Sequence, residues 1–140
     1  MVTLIGMGSG SWEALSVQAQ DAVRRAGLVF GAKRLLAGLP PECTARQFAL
    51  YQPAEILETL AQAPGQDAAV LYSGDTGFYS GASGLLTPLR ALGIPARVYP
   101  GVSSIQLLAA ALGRPWQDWK LVSAHGCACD PLAECLTDGG

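Results

Sequence analysis

The stretch Ala68-Ala69-Val70-Leu71-Tyr72-Ser73-Gly74-Asp75-Thr76-Gly77-Phe78-Tyr79-Ser80-Gly81 decides the fold. Its first five residues are apolar without alternation, as in a strand covered on both faces. Its last nine are glycine- and serine-rich, with one carboxylate. An apolar pattern near Gly84–Leu92 then predicts a helix, with Pro88 putting its first half in doubt. The unit is therefore strand, polar loop, helix.

The same unit recurs along the chain. Val2–Ile5 is a buried strand followed by Gly6-Met7-Gly8-Ser9-Gly10. Ser16 caps a helix over Val17–Ala26, with Val17, Ala22, Val23 and Ala26 on one face, and Gly27 ends it. Leu28–Phe30 is a short strand, Lys33–Ala37 a helical turn and Arg46–Leu50 an edge strand. Pro53 opens a helix whose apolar face is Ile56, Leu57, Leu60 and Ala61. Ala96–Tyr99 reads as a strand, Ser103–Leu112 as a strongly apolar helix and Lys120–Ser123 as a last strand. Strands alternating with helices predict an α/β fold, an open and mostly parallel sheet with helices on both faces.

Composition agrees. Of 140 residues, half are apolar and only 14% charged, which excludes a disordered chain. Nine basic and eleven acidic residues form no basic stripe, so no nucleic-acid partner is expected. No window holds 18 uninterrupted apolar residues, so no membrane partner is expected either. The first residues lack a basic stretch before an apolar one, and the expected compartment is the cytoplasm, with the four cysteines reduced.

In an open α/β sheet, ligands bind outside the carboxyl ends of the strands. Four loops fall there: residues 6–10, 73–81, Pro100-Gly101-Val102-Ser103-Ser104, and Ala124-His125-Gly126. The first is a poor dinucleotide fingerprint. Ser11 stands where the third glycine belongs, and no acid follows near Phe30-Gly31-Ala32-Lys33. Asp75 is the only acid between Asp67 and Asp118. It either closes an Asx turn or caps the next helix, or it holds a polar or cationic part of a ligand. Ser103 and Ser104 either cap a helix or offer its N-terminal groups to a carboxylate or hydroxyl. His125, the single histidine, precedes Cys127, Cys129 and Cys135 in H-x-C-x-C-x5-C spacing, which is no standard zinc pattern, so no metal is expected.

These loops, in this order, resemble the tetrapyrrole (corrin/porphyrin) methylases. The resemblance is carried by Leu4–Gly10, Val29–Leu36, Ser73–Ser80, Pro100–Ile105, and Trp116–Trp119 before Val122-Ser123-Ala124-His125-Gly126. Within the family, the Ser73–Ser80 stretch and the Ser-x-His-Gly ending are most like the precorrin-6Y and cobalt-precorrin-7 C5-methylating group. The resemblance implies S-adenosylmethionine as cofactor, a small-molecule tetrapyrrole substrate, two α/β domains and a homodimer. It implies cofactor contacts at Ser9, Ser73, Gly74, Asp75, Phe78, Ser103, Ser104 and Ala124, and substrate contacts at Gly8, Gly10, Tyr79 and His125. No catalytic residue is assigned. The first domain is expected over residues 1–122, with 123–140 the hinge and start of a second domain. Cys127 stands where the subgroup commonly has an arginine, so an anion-binding group is missing. The alternative expectation is a non-catalytic nucleotide- or ligand-binding module, incomplete without that second domain.

Overall fold

In the computed structural model, residues 1–78 and 80–122 are described. They form β1 (Val2–Gly6), α1 (Val17–Arg25), β2 (Leu28–Phe30), α2 (Lys33–Leu36), β3 (Arg46–Phe48), α3 (Pro53–Ala61), β4 (Ala68–Tyr72), α4 (Ala82–Ala91), β5 (Ala96–Tyr99) and α5 (Ser104–Leu112). Contacts divide the chain into Met1–Ser104 and Ile105–Gly140.

The first unit holds a five-stranded sheet of order β3-β2-β4-β1-β5, every neighbouring pair parallel. Alternation along the strands splits the core between two faces. Ile5, Val29, Ala69 and Leu71 point to the face covered by Ala19 and Val23 of α1 and Leu35 of α2. Leu4, Phe30, Ala68 and Val70 point to the other, against Ile56 of α3 and Ala82, Leu85 and Leu89 of α4. Phe30 is fully buried and stacks on Phe48 with ring centroids 5.2 Å apart.

The face each helix takes follows from handedness. From β1 through β2 to β3 the chain steps one way along the sheet, and α1 and α2 lie on one face. From β3 to β4 and on to β5 it steps back, and α3 and α4 lie on the other. Right-handed crossovers require that exchange of faces when the direction reverses. The reversal makes the carboxyl edge of neighbouring β1 and β4 the switch point of the sheet, where ligands bind.

Local chemistry sets the element ends. Ser16 Oγ accepts from the Ala19 amide at 3.2 Å, capping α1. Pro53 occupies the first turn of α3, and α4 runs through Pro88. Two expectations are corrected. Val17 is 71% exposed, because at the first position of α1 it falls outside the stripe set by Ala19, Val23 and Ala26. Residues 120–122 are not a strand, since a strand exists only where a neighbour completes its ladder, and among the described residues they pair with none.

In the second unit, Leu107, Leu108 and Leu112 of α5 are 45%, 50% and 55% exposed. No helix of the described residues is long and apolar enough to cross a membrane.

Candidate functional site

The exits of β1, β4 and β5 meet through backbone rather than side chains. A Cβ on Gly6 would lie 2.7 Å from both the Gly101 nitrogen and the Gly74 oxygen. A Cβ on Gly101 would overlap the carbonyl oxygens of Gly74 and Gly6. Only glycine permits this approach. Beyond it, the first two loops are zipped together. The Gly8 amide donates to the Gly74 carbonyl at 3.1 Å, and the Gly74 amide returns a bond to the Gly8 carbonyl at 2.9 Å. This antiparallel bridge needs left-handed backbone at both residues, with φ of +58° at Gly8 and +67° at Gly74. Met7 is held beneath, fully buried, its amide donating to the Tyr72 carbonyl at 2.7 Å.

Side chains then fasten the β4 exit to the β5 exit. Asp75 Oδ2 accepts from the Gly77 amide at 3.1 Å, an Asx turn. Its Oδ1 accepts from the Gly101 amide at 3.0 Å, across 26 residues of sequence. The buried Thr76 donates its hydroxyl to the Tyr99 carbonyl at 3.2 Å. Ser80 Oγ accepts from the Ala82 amide at 3.2 Å and ties the loop's end to α4.

Around this knot the sequence-derived residues distribute as follows. Gly8, Gly10, Gly74, Asp75 and Phe78 are half-buried, and Ser9 and Ser73 are exposed. Ser103 is buried and Ser104 exposed at the start of α5. The structure brings the loops of Gly8, Gly74, Asp75 and Gly101 into direct contact. Tyr79, Ala124 and His125, with the cysteines beyond, lie outside the described residues. Sequence reading missed Thr76 and the touching glycines Gly6 and Gly101. A glycine within two residues of the end of a strand run, Gly6 directly after Ile5 and Gly101 after Tyr99-Pro100, is the pattern that could have indicated the two glycines.

Electrostatically the edge is sparse. Asp75 is the only carboxylate on the three loops, which carry no lysine or arginine of their own, and the Arg34 guanidinium from α2 lies beside Gly10, 4.0 Å from where a Gly10 Cβ would sit. Below the second loop, the Tyr72 hydroxyl is buried with no hydrogen-bond partner among the described residues, and burial pushes its pKa up to about 12. Backbone polar groups, hydroxyls and one carboxylate suit a polar ligand held largely by main chain, with that carboxylate favouring a cationic part.

This glycine-built edge on a parallel sheet belongs to a known class. The family model of Tetrapyrrole (Corrin/Porphyrin) Methylases matches residues 1–138, and the chain belongs to that family. Within it, the cobalt-precorrin-7 C(5)-methyltransferase of Salmonella typhimurium is 34% identical over 128 residues, 90% of this chain and 62% of that protein. The methyltransferase CobJ superposes with a TM-score of 0.76 at 25% identity, over 98% of this chain and 60% of its own. A uroporphyrin-III C-methyltransferase from Thermus thermophilus, solved in complex with S-adenosylhomocysteine, gives 0.64 at 27% identity, over 89% and 52%. The chain thus spans about three-fifths of the length of its curated relative.

Proposed function

We propose that the carboxyl-edge loops bind S-adenosylmethionine, and that the protein methylates a carbon of a corrinoid precursor in cobalamin biosynthesis. The observation that carries this is the three-way glycine contact of Gly6, Gly74 and Gly101, which brings three loops of main chain to one point at the switch of the sheet. Family membership and a relative holding S-adenosylhomocysteine support the choice of ligand. The residues fit that cofactor: exposed hydroxyls at Ser9, Ser73 and Ser104, a half-buried Gly74 fixed by its bridge to Gly8, the half-buried ring of Phe78, and one carboxylate at Asp75. Ser103 and Ala124 complete the proposed cofactor set. Gly8, Gly10, Tyr79 and His125 are proposed to face the tetrapyrrole.

The bound cofactor supplies an electrophilic methyl group on a sulfonium. What the chain contributes is placement. Attack along the methyl–sulfur axis requires the two reactants to be held aligned a few ångströms apart, and such positioning can supply most of the rate. A knot of backbone contacts does this with little reorganisation, and its apolar support, Met7 and the β-strand ends, keeps water out from below. No general base is assigned.

The substrate we propose is cobalt-precorrin-7, methylated at C5, on the strength of the Salmonella relative and the Ser73–Ser80 stretch. We further propose a cytoplasmic homodimer whose second domain follows residue 122 and completes the tetrapyrrole side of the cleft.

Calorimetric titration with S-adenosylhomocysteine tests the core of this reading, with micromolar affinity the expected result. Absence of saturable binding to a chain that far-ultraviolet circular dichroism shows to be folded overturns binding by these loops on their own and favours the alternative, a module incomplete without its second domain. Binding of NAD(H) instead turns the site into that of an oxidoreductase. Location of the new methyl by NMR, after incubation with cobalt-precorrin-7, tests the ring position.

A further inference from the structure

We infer that Asp75 and Thr76 are positioning residues, a two-point clamp that sets the spacing between the loop after β4 and the loop after β5. This rests on the proposed adenosyl-ligand site. Both carboxylate oxygens of Asp75 already accept from main chain, one locally at Gly77 and one at Gly101. The next residue, Thr76, holds the Tyr99 carbonyl two residues before Gly101. Two adjacent side chains therefore grip the β5 exit on either side of Pro100.

The grip matters because no side chains interlock where the glycines meet. Gly74 and Gly101 pack backbone to backbone with no side chain between them. Their contact brings the Gly74 carbonyl against Gly101, and apolar interlocking contributes nothing there. Directional hydrogen bonds are left to fix the spacing, and bonds to a charged acceptor are the stronger kind. Ser103 and Ser104 follow Gly101 by two and three residues, and Ser73 precedes Asp75 by two. The clamp thus sets how far the hydroxyls of one loop stand from those of the other. Asp75 acts on a ligand through Gly101, and Thr76, buried beneath, acts without reaching the ligand at all.

The test joins two readouts on the full chain. Amide hydrogen exchange, followed by NMR without ligand, reports the clamp itself. D75A frees the Gly101 amide, raising its exchange about tenfold, the worth of one charged hydrogen bond. The amides of Leu4 and Val70 inside the sheet stay protected. D75N keeps one acceptor and sets an NH2 against the other amide, so only one of Gly77 and Gly101 is freed. S-adenosylhomocysteine titration reports the consequence. D75A and T76V both weaken affinity, D75A by about tenfold, and T76S restores it.

Unchanged exchange at Gly101 in D75A overturns the clamp. So does a T76V chain that binds as tightly as the native one while D75N loses binding, since Asp75 then touches the ligand directly. Should D75A lose the protection of Leu4 and Val70 it has unfolded, and D75N and T76V decide by the same criteria. A native chain that binds no S-adenosylhomocysteine removes the proposed function, and exchange at Gly101 alone then decides the clamp.

Discussion

The interior of the sheet and its carboxyl edge are built on opposite rules. Inside, Phe30, Leu4, Val70 and Leu85 fill space with side chains, and polar groups are paired in the strand ladders. At the edge, side chains are removed at Gly6, Gly74 and Gly101, and the backbones themselves touch. The interior gains its stability from apolar area withdrawn from water. The edge gains little of that and is held by a few directed bonds from Asp75 and Thr76. Stability and ligand binding should therefore be separable by mutation.

The largest effect on stability is expected in the interior. Phe30→Ala removes a fully buried ring and its stacking on Phe48. Urea denaturation should show a loss of about 3–5 kcal/mol. Ligand affinity of the fraction that stays folded should not change, and a change would tie core and edge together more closely than their construction suggests. Gly101→Ala is the converse. Its methyl overlaps two carbonyl oxygens that belong to backbone and cannot swing aside. The stability loss should be about 1–3 kcal/mol, as for overpacking generally. Binding of S-adenosylhomocysteine should be lost outright. A Gly101→Ala chain that binds normally would show that the close approach is structural and unrelated to the ligand.

The same contrast explains what could be read from sequence. Apolar runs mark the interior because burial is a property each residue carries with it. Strands such as 2–5, 28–30 and 68–72 match the observed ones to within a residue. The error at residues 120–122 is of another kind. An apolar run becomes a strand only beside a partner, and composition cannot name the partner. The edge was legible only as a collection of glycines, serines and one acid on loops that the parallel topology brings together. The bond from Asp75 to Gly101 spans 26 residues, and its existence depends on β4 and β5 both lying against β1, which the order of elements leaves open. Thr76 looked like any loop threonine, because what distinguishes it is burial under the β5 exit. Asp75 presented two readings, a local turn and a ligand contact. The structure supplies the first on one oxygen and an unforeseen long-range bond on the other.

The smallest of the three effects sits where the two regions join. Tyr72 ends β4, its ring against the α3–α4 core and its hydroxyl buried beneath the second loop without a partner among the described residues. Burial disfavours the phenolate and raises the pKa from 10.0 to about 12. Between those two values the unfolded chain has lost the proton and the folded one keeps it. The folded state is therefore fully favoured by this group below pH 10.0 and loses that advantage as pH rises toward 12. The loss is about 1–2 kcal/mol, since a shift of this size is reduced by the ring's remaining exposure. Tyr72→Phe removes the ionisation and the unpaired hydroxyl together. At neutral pH it should leave stability unchanged or raised by up to about 1 kcal/mol, because no hydrogen bond is lost. Melting curves of both chains from pH 8 to 12 should diverge above pH 10.0, the native chain falling faster. Parallel curves would mean that water reaches the hydroxyl in the folded chain and that burial does not penalise the phenolate.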